Sequence, residues 1–115
     1  MKFGLLGRTL GHSFSPRIHS ALGNTNYELF EREPSQLQEF FDDPELQGIN
    51  ITIPYKVNAL EACDVVDPRA ERIGCVNTMV RKDGKWHGYN TDYDGFVFTL
   101  QHAGIDVSGK ECIIL

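Results

Sequence analysis

Basic clusters, paired cysteines and long apolar runs are all scarce in this 115-residue chain. Eleven Lys and Arg stand against sixteen Asp and Glu, a formal net charge of -5, and no basic run exceeds Arg81-Lys82. A surface of that sign has no stripe with which to neutralise a phosphate backbone or an anionic leaflet, so neither nucleic acid nor membrane is an expected partner. The three cysteines, Cys63, Cys75 and Cys112, are odd in number and form no C-x-x-C pair. That indicates neither a disulfide framework nor a zinc site, and reads most simply as free thiols in a reducing cytoplasm. His12 and His19 are too far apart for a helical i, i+4 ligand pair, so no metal is expected. Met1 is not followed by a charged segment, an apolar run and a small-residue cleavage site, and nothing approaches the length of a bilayer span. Neither a secretory signal nor a transmembrane helix is expected.

What is present fits one domain with a real core, since 41% of the residues are apolar and 23% charged. Lys2 to Leu6 reads as a short buried strand and Gly7 to His12 as a glycine-bearing loop. Ser15-Pro16 opens a helix ending near Gly23-Asn24. Tyr27 to Arg32 alternates as a strand, Pro34 to Phe41 has amphipathic helical spacing, and Ile49 to Ile53 is a third strand. Pro54 starts a helix running to about Cys63, and Pro68 to Ile73 is a short helical turn. Cys75 to Arg81 and Lys85 to Tyr89 are strands joined by Asp83-Gly84, a strong hairpin signal. Asp92 to about His102 is a helix, with Tyr89 and Phe96 expected in the core. Lys110 to Leu115 is a final apolar strand. Strands alternating with helices, then a hairpin, predict an α/β three-layer sandwich: a mostly parallel mixed sheet with one antiparallel strand and helices on both faces. The last strand has no neighbour in the sequence, and the chain reads as stopping at the first strand of a second domain.

Asn50-Ile-Thr-Ile-Pro-Tyr-Lys56 is the most unusual local pattern. A strand runs into a proline, and a lysine follows where a helix begins, facing the positive end of the helix dipole. A residue that breaks a local rule calls for a reason, and catalysis is one.

Four motifs, in order and spacing, resemble the signatures of the shikimate dehydrogenase substrate domain: Gly11-His-Ser-Phe-Ser-Pro16, Asn50-Ile-Thr-Ile-Pro-Tyr-Lys56, Gly74-Cys-Val-Asn-Thr78 and Gly88-Tyr-Asn-Thr-Asp-Tyr-Asp-Gly95. The resemblance implies that Ser13 and Ser15 hold a substrate carboxylate, that Thr52, Asn77 and Asp92 contact the substrate, and that Asn50 supports the site. It implies Lys56 as the catalytic acid and base at the ring C3 oxygen and Asp92 as its catalytic partner. Read without it, Ser15 is an N-cap, Asn50 and Thr52 belong to the polar face of a half-exposed strand, and either Asp92 or Thr91 caps the following helix. Lys56 would then be a lysine snorkelling from a helix start.

The same resemblance implies residues 1–103 as the shikimate-binding catalytic domain and 104–115 as linker and first strand of a truncated NADP-binding, Rossmann-like domain. It implies a cytoplasmic enzyme that reversibly reduces 3-dehydroshikimate to shikimate with NADPH in chorismate and aromatic amino acid biosynthesis. A fragment without the cofactor domain is expected to be inactive alone. The rival readings are a quinate/shikimate dehydrogenase of the same family and a non-catalytic, stand-alone binding module.

Overall fold

In the computed structural model, which describes residues 1–115, the chain runs β1 (Lys2–Gly7), α1 (Ser15–Ala21), β2 (Tyr27–Glu31), a 3-10 turn (Pro34–Gln36) into α2 (Leu37–Asp42), β3 (Leu46–Ile51), α3 (Lys56–Ala62), β4 (Val65–Val66), α4 (Pro68–Ile73), β5 (Thr78–Lys82), β6 (Lys85–Tyr89) and α5 (Asp92–His102). The strands form one six-stranded sheet in the order β2-β1-β3-β5-β6-β4, and β5 alone runs against the rest. This is the mixed α/β sheet that the element order predicts. The reversal at β5 follows from the Asp83-Gly84 turn, where both residues adopt positive φ, 50° and 74°, as a two-residue hairpin of matching twist requires.

Register decides which face of the sheet is buried. Leu6 lies level with Phe30 on one side and Ile51 on the other, Ile49 with Met79, and Arg81 with Trp86, so these side chains share a face. Against that face pack Leu37, Phe40 and Phe41 of α2, Ala59 of α3 and Ala70 of α4, closing a core cluster of fourteen residues. Its edge is stapled by Arg81, which donates to the carbonyls of Leu46 at 3.0 Å and Phe41 at 2.8 Å and lies 4.3 Å above the Trp86 ring. Trp86 Nε1 donates to the same Phe41 carbonyl at 3.0 Å, so the open C-terminal end of α2 is capped from the hairpin. The opposite face carries Phe3, Tyr27, Asn50, Thr78 and Tyr89, and α1 lies on it with His19 stacked on Tyr27 at 3.8 Å.

Several sequence expectations are corrected. Lys110–Leu115 forms no strand and is exposed, because β-structure needs a neighbour to take its backbone hydrogen bonds and none is offered. Phe96, expected in the core, is 65% exposed, and α5 buries no residue because no element of the chain packs over its apolar side. Tyr89 is half-buried. β5 begins at Thr78 rather than Cys75, and β3 runs from Leu46 to Ile51 rather than 49 to 53. The two-residue β4 was not expected. It joins β6 through Val65 and Val66, while the Trp86 amide is taken by the Asp64 carboxylate at 2.7 Å.

Candidate functional site

The carboxyl edge of the sheet is where the motifs meet. β1, β3 and β6 end there, and β5, running the other way, begins there. Four loops that are distant in sequence are therefore brought to one rim, as happens at the strand ends of open α/β sheets. An open cleft of about 450 Å³ lies at this rim, lined by Leu5, Thr9, Leu10, Ser13, Ser15, Asn50, Ile51, Thr52, Lys56, Asn77 and Asp92. All seven residues singled out in the sequence line it. A larger groove, about 900 Å³, runs over α2 between Arg32 and Asp43, but its lining has one apolar residue and no converging set of motif residues.

Each side chain is held by a local device. The loop after β1 turns back at Gly7, where a Cβ would lie 2.4 Å from Leu10 and 2.9 Å from Thr52; glycine lets the two rims close. The Leu10 amide is fixed by the Glu31 carboxylate at 2.7 Å. Ser13 Oγ accepts the Ser15 amide at 3.2 Å. Ser15 is the first residue of α1, with Phe14 at the N-cap position, so its hydroxyl is not spent on capping. The Thr52 amide donates to Leu6 O at 2.9 Å and the Tyr55 amide to Thr52 O at 3.0 Å, a turn that includes the cis Ile53–Pro54 bond. Tyr55 is buried and its phenol donates to Arg32 O at 2.6 Å, which anchors the turn and leaves Lys56 at the first position of α3.

Lys56 Nζ and the Asp92 carboxylate form an ion pair across the cleft. Asp92 is likewise the first residue of its helix, and Thr91 holds the N-cap position without a side-chain capping bond, so neither caps the helix with its side chain. The carboxylate suits the positive end of α5 and offsets the unfavourable place of the ammonium at α3. The lysine side chain is 30% exposed and the aspartate 58%, so the pair is open to a ligand and contributes little to stability.

Asn77 is buried at the cleft floor. Its Oδ1 accepts the Thr91 amide at 2.9 Å and the Thr78 hydroxyl at 3.1 Å, and its Nδ2 donates to Thr91 Oγ1 at 2.9 Å. Asn50 Nδ2 donates to Thr78 Oγ1 at 3.2 Å, and Asn50 Oδ1 accepts the Tyr27 phenol at 2.8 Å. Burial pushes the Tyr27 phenol up to about 12, opposed by the nearby Ser15 hydroxyl. Tyr27, Thr78 and Thr91 were not among the residues expected at the site. Thr78 and Thr91 lie inside two of the motifs, beside Asn77 and Asp92, and Tyr27 carries no signal in the sequence. No group of three or more His, Cys, Asp or Glu is gathered to hold a metal.

Chemically the cleft offers hydroxyls and amides along its floor, one ammonium, and one carboxylate able to orient it. Such a set suits a small, polyhydroxylated, anionic molecule and supplies one transferable proton.

Known proteins with this sequence pattern agree with each other. The family profile described as shikimate dehydrogenase substrate binding domain matches residues 5–79. The shikimate dehydrogenase (NADP(+)) of Clostridium perfringens is 40% identical over 121 residues, covering 98% of this chain and 45% of that protein. That of Xylella fastidiosa is 38% identical over 124 residues, 99% and 44%. Among solved structures, shikimate dehydrogenase 1 of Peptoclostridium difficile superposes with a TM-score of 0.85 at 36% identity, covering 93% of this chain and 43% of that one. Shikimate 5-dehydrogenase of Thermus thermophilus, in complex with NADP(H) and shikimate, gives 0.83 at 35% identity, covering 93% and 44%. This chain thus spans less than half the length of the relatives it matches. A profile match over more than half of the chain, with relatives of this identity along nearly all of it, means that the chain belongs to the shikimate dehydrogenase family, in the region of its substrate-binding domain.

Proposed function

We propose that this chain is the shikimate-binding, proton-transferring part of an NADP-dependent dehydrogenase that interconverts 3-dehydroshikimate and shikimate in the cytoplasm. The observation that carries the reading is the Lys56–Asp92 pair at the lip of a hydroxyl- and amide-lined cleft. Ser13 and Ser15 present hydroxyls to the ligand carboxylate, and Thr52, Asn77 and Asp92 engage its ring hydroxyls. Asn50 supports the floor. In the reducing direction the Lys56 ammonium, oriented by Asp92, gives its proton to the carbonyl oxygen at C3 as the carbon gains hydride, and the carbonyl becomes an alcohol. In the oxidising direction neutral Lys56 takes that proton back. Proton transfer of this kind accounts for about 10²–10⁴-fold of rate.

A nicotinamide nucleotide supplies the hydride when bound. The loop between β1 and α1 has Gly7 and Gly11 without the G-x-G-x-x-G spacing that lets a backbone approach a pyrophosphate, and its side chains already serve the cleft. The cradle for the nucleotide therefore belongs to the part of the relatives beyond the matched segment. Residues 1–103 form the substrate domain in this reading, and 104–115 lead towards the cofactor domain. Residues 112–115, apolar and unpaired here, would gain ladder partners there.

A heteronuclear titration of the isotopically labelled chain with shikimate tests the assignment. Saturable shifts at Ser13, Lys56 and Asp92 are expected, with weaker ones for quinate. An unchanged spectrum at millimolar shikimate would remove the binding role.

A further inference from the structure

Behind the cleft, two side chains that do not line it hold its asparagines in one sense. Tyr27 reaches from β2 across β1, and its phenol donates to Asn50 Oδ1 at 2.8 Å. With that oxygen engaged, Asn50 Nδ2 is directed to Thr78 Oγ1 at 3.2 Å. Having accepted, the Thr78 hydroxyl gives its single proton to Asn77 Oδ1 at 3.1 Å. Asn77 Nδ2 in turn donates to Thr91 Oγ1 at 2.9 Å, and Thr91 is the N-cap of the helix whose first residue is Asp92. The polarity is anchored by the Thr91 backbone amide, a donor only, which fixes Asn77 Oδ1 as an acceptor. Reversing the Asn50 amide would set two acceptors, Asn50 Oδ1 and Asn77 Oδ1, against the single Thr78 proton and leave the phenolic proton without its acceptor.

The chain begins in a protected place. Tyr27 and Thr78 border a small cavity of about 190 Å³ together with Phe3, Gly48, Met79 and Val80, and His19 covers the Tyr27 ring at 3.8 Å. Burial that pushes the phenol up to about 12 keeps it a proton donor throughout the neutral range.

We propose that Tyr27 and Thr78 are positioning residues: they fix the amide of Asn50, and share with the Thr91 backbone amide in holding that of Asn77, so that the remaining N–H of each, and not its carbonyl, is left for ligand hydroxyl oxygens in the cleft. This rests on the shikimate-binding reading above. Without the phenolic proton the Asn50 amide is free to turn over, Thr78 loses the bond that orients its hydroxyl, and the disturbance reaches Asn77.

Two near-isosteric substitutions test it. Tyr27→Phe keeps the ring against His19 and removes one proton; Thr78→Val keeps the volume and cuts the chain one link further on. In the ligand-free Tyr27→Phe chain the side-chain amide signal of Asn77 should move, although three hydrogen bonds separate it from position 27. Shikimate should bind about three- to tenfold more weakly to each variant, the loss of one ordinary hydrogen bond. The double variant should bind no worse than the weaker single, because both changes break one chain. An unmoved Asn77 signal, undiminished affinity in both singles, or a double loss equal to the product of the singles would each overturn the proposal. Failure of the unaltered chain to bind shikimate would sink the binding reading instead, and the Asn77 signal alone would then decide whether Tyr27 positions the floor.

Discussion

Replacing Asn77 by alanine should cost stability as well as ligand. Asn77 is 9% exposed and its side chain makes three well-formed bonds, from the Thr91 amide at 2.9 Å, from the Thr78 hydroxyl at 3.1 Å and to Thr91 Oγ1 at 2.9 Å. Each is worth about 0.5–1.5 kcal/mol net. Thr91 is exposed, so water can replace part of what it loses, whereas the half-buried Thr78 hydroxyl has no such replacement. The sum is about 2–3 kcal/mol, out of the 5–15 kcal/mol typical of a domain. At ~4 °C per kcal/mol for a chain of this size, the thermal midpoint should fall by about 8–12 °C. Urea titrations of native and Asn77→Ala chains measure the difference directly, and an unchanged slope would show that only stability has moved. Asn77→Asp is the informative companion, since it keeps the acceptor for the Thr91 amide and loses the donor. A loss below ~0.5 kcal/mol in Asn77→Ala would refute the reasoning that this amide ties the start of α5 to the sheet.

Two further outcomes are expected. Lys56→Met should alter stability by less than about 1 kcal/mol, because the ion pair is solvent-exposed, yet lower turnover at least a hundredfold in a full-length dehydrogenase carrying this domain; near-normal turnover would end the acid–base role. Cys63 is half-buried and donates to Ala59 O at 3.1 Å, and burial pushes its thiol up to about 11. At pH 8 it should alkylate about a hundredfold more slowly than the same cysteine in the unfolded chain, since only the thiolate reacts. Because the folded state holds that proton more tightly than the unfolded one, the associated stability is complete below about pH 9 and is lost as pH rises through about 11. Denaturant midpoints across that window should fall less steeply for Cys63→Ala than for the native chain.

The legible parts of the fold were those with local causes. The Asp83-Gly84 turn needs two positive φ values and announces a hairpin by composition, and Ser15-Pro16 marks a helix start to within one residue. Phe96 was misplaced because apolar spacing says that a helix has an apolar side, not that anything covers it. Val65–Val66 was missed because two residues carry no period, and their pairing with β6 exists only once the hairpin is in place. Lys110–Leu115 has strand composition without a partner, and composition cannot supply the ladder.

At the site the same division holds. The motif residues were readable because each sits at a strand end or helix start, where short patterns have local meaning. Tyr27 was not, since a tyrosine in an alternating strand looks like packing until the sheet order puts β1 between it and Asn50. By itself the sequence determined the element types from β1 to α5 except β4, the mixed α/β class and the residues able to do chemistry, all of which follow from short-range sterics, periodicity and side-chain type. Only the tertiary structure decided that Lys56 and Asp92, 36 residues apart, form an ion pair, and that Tyr27 stands behind Asn50. The physical reason is that hydrogen bonds and ion pairs act over a few ångströms, and sheet order, a property of the whole chain, determines which distant residues come that close.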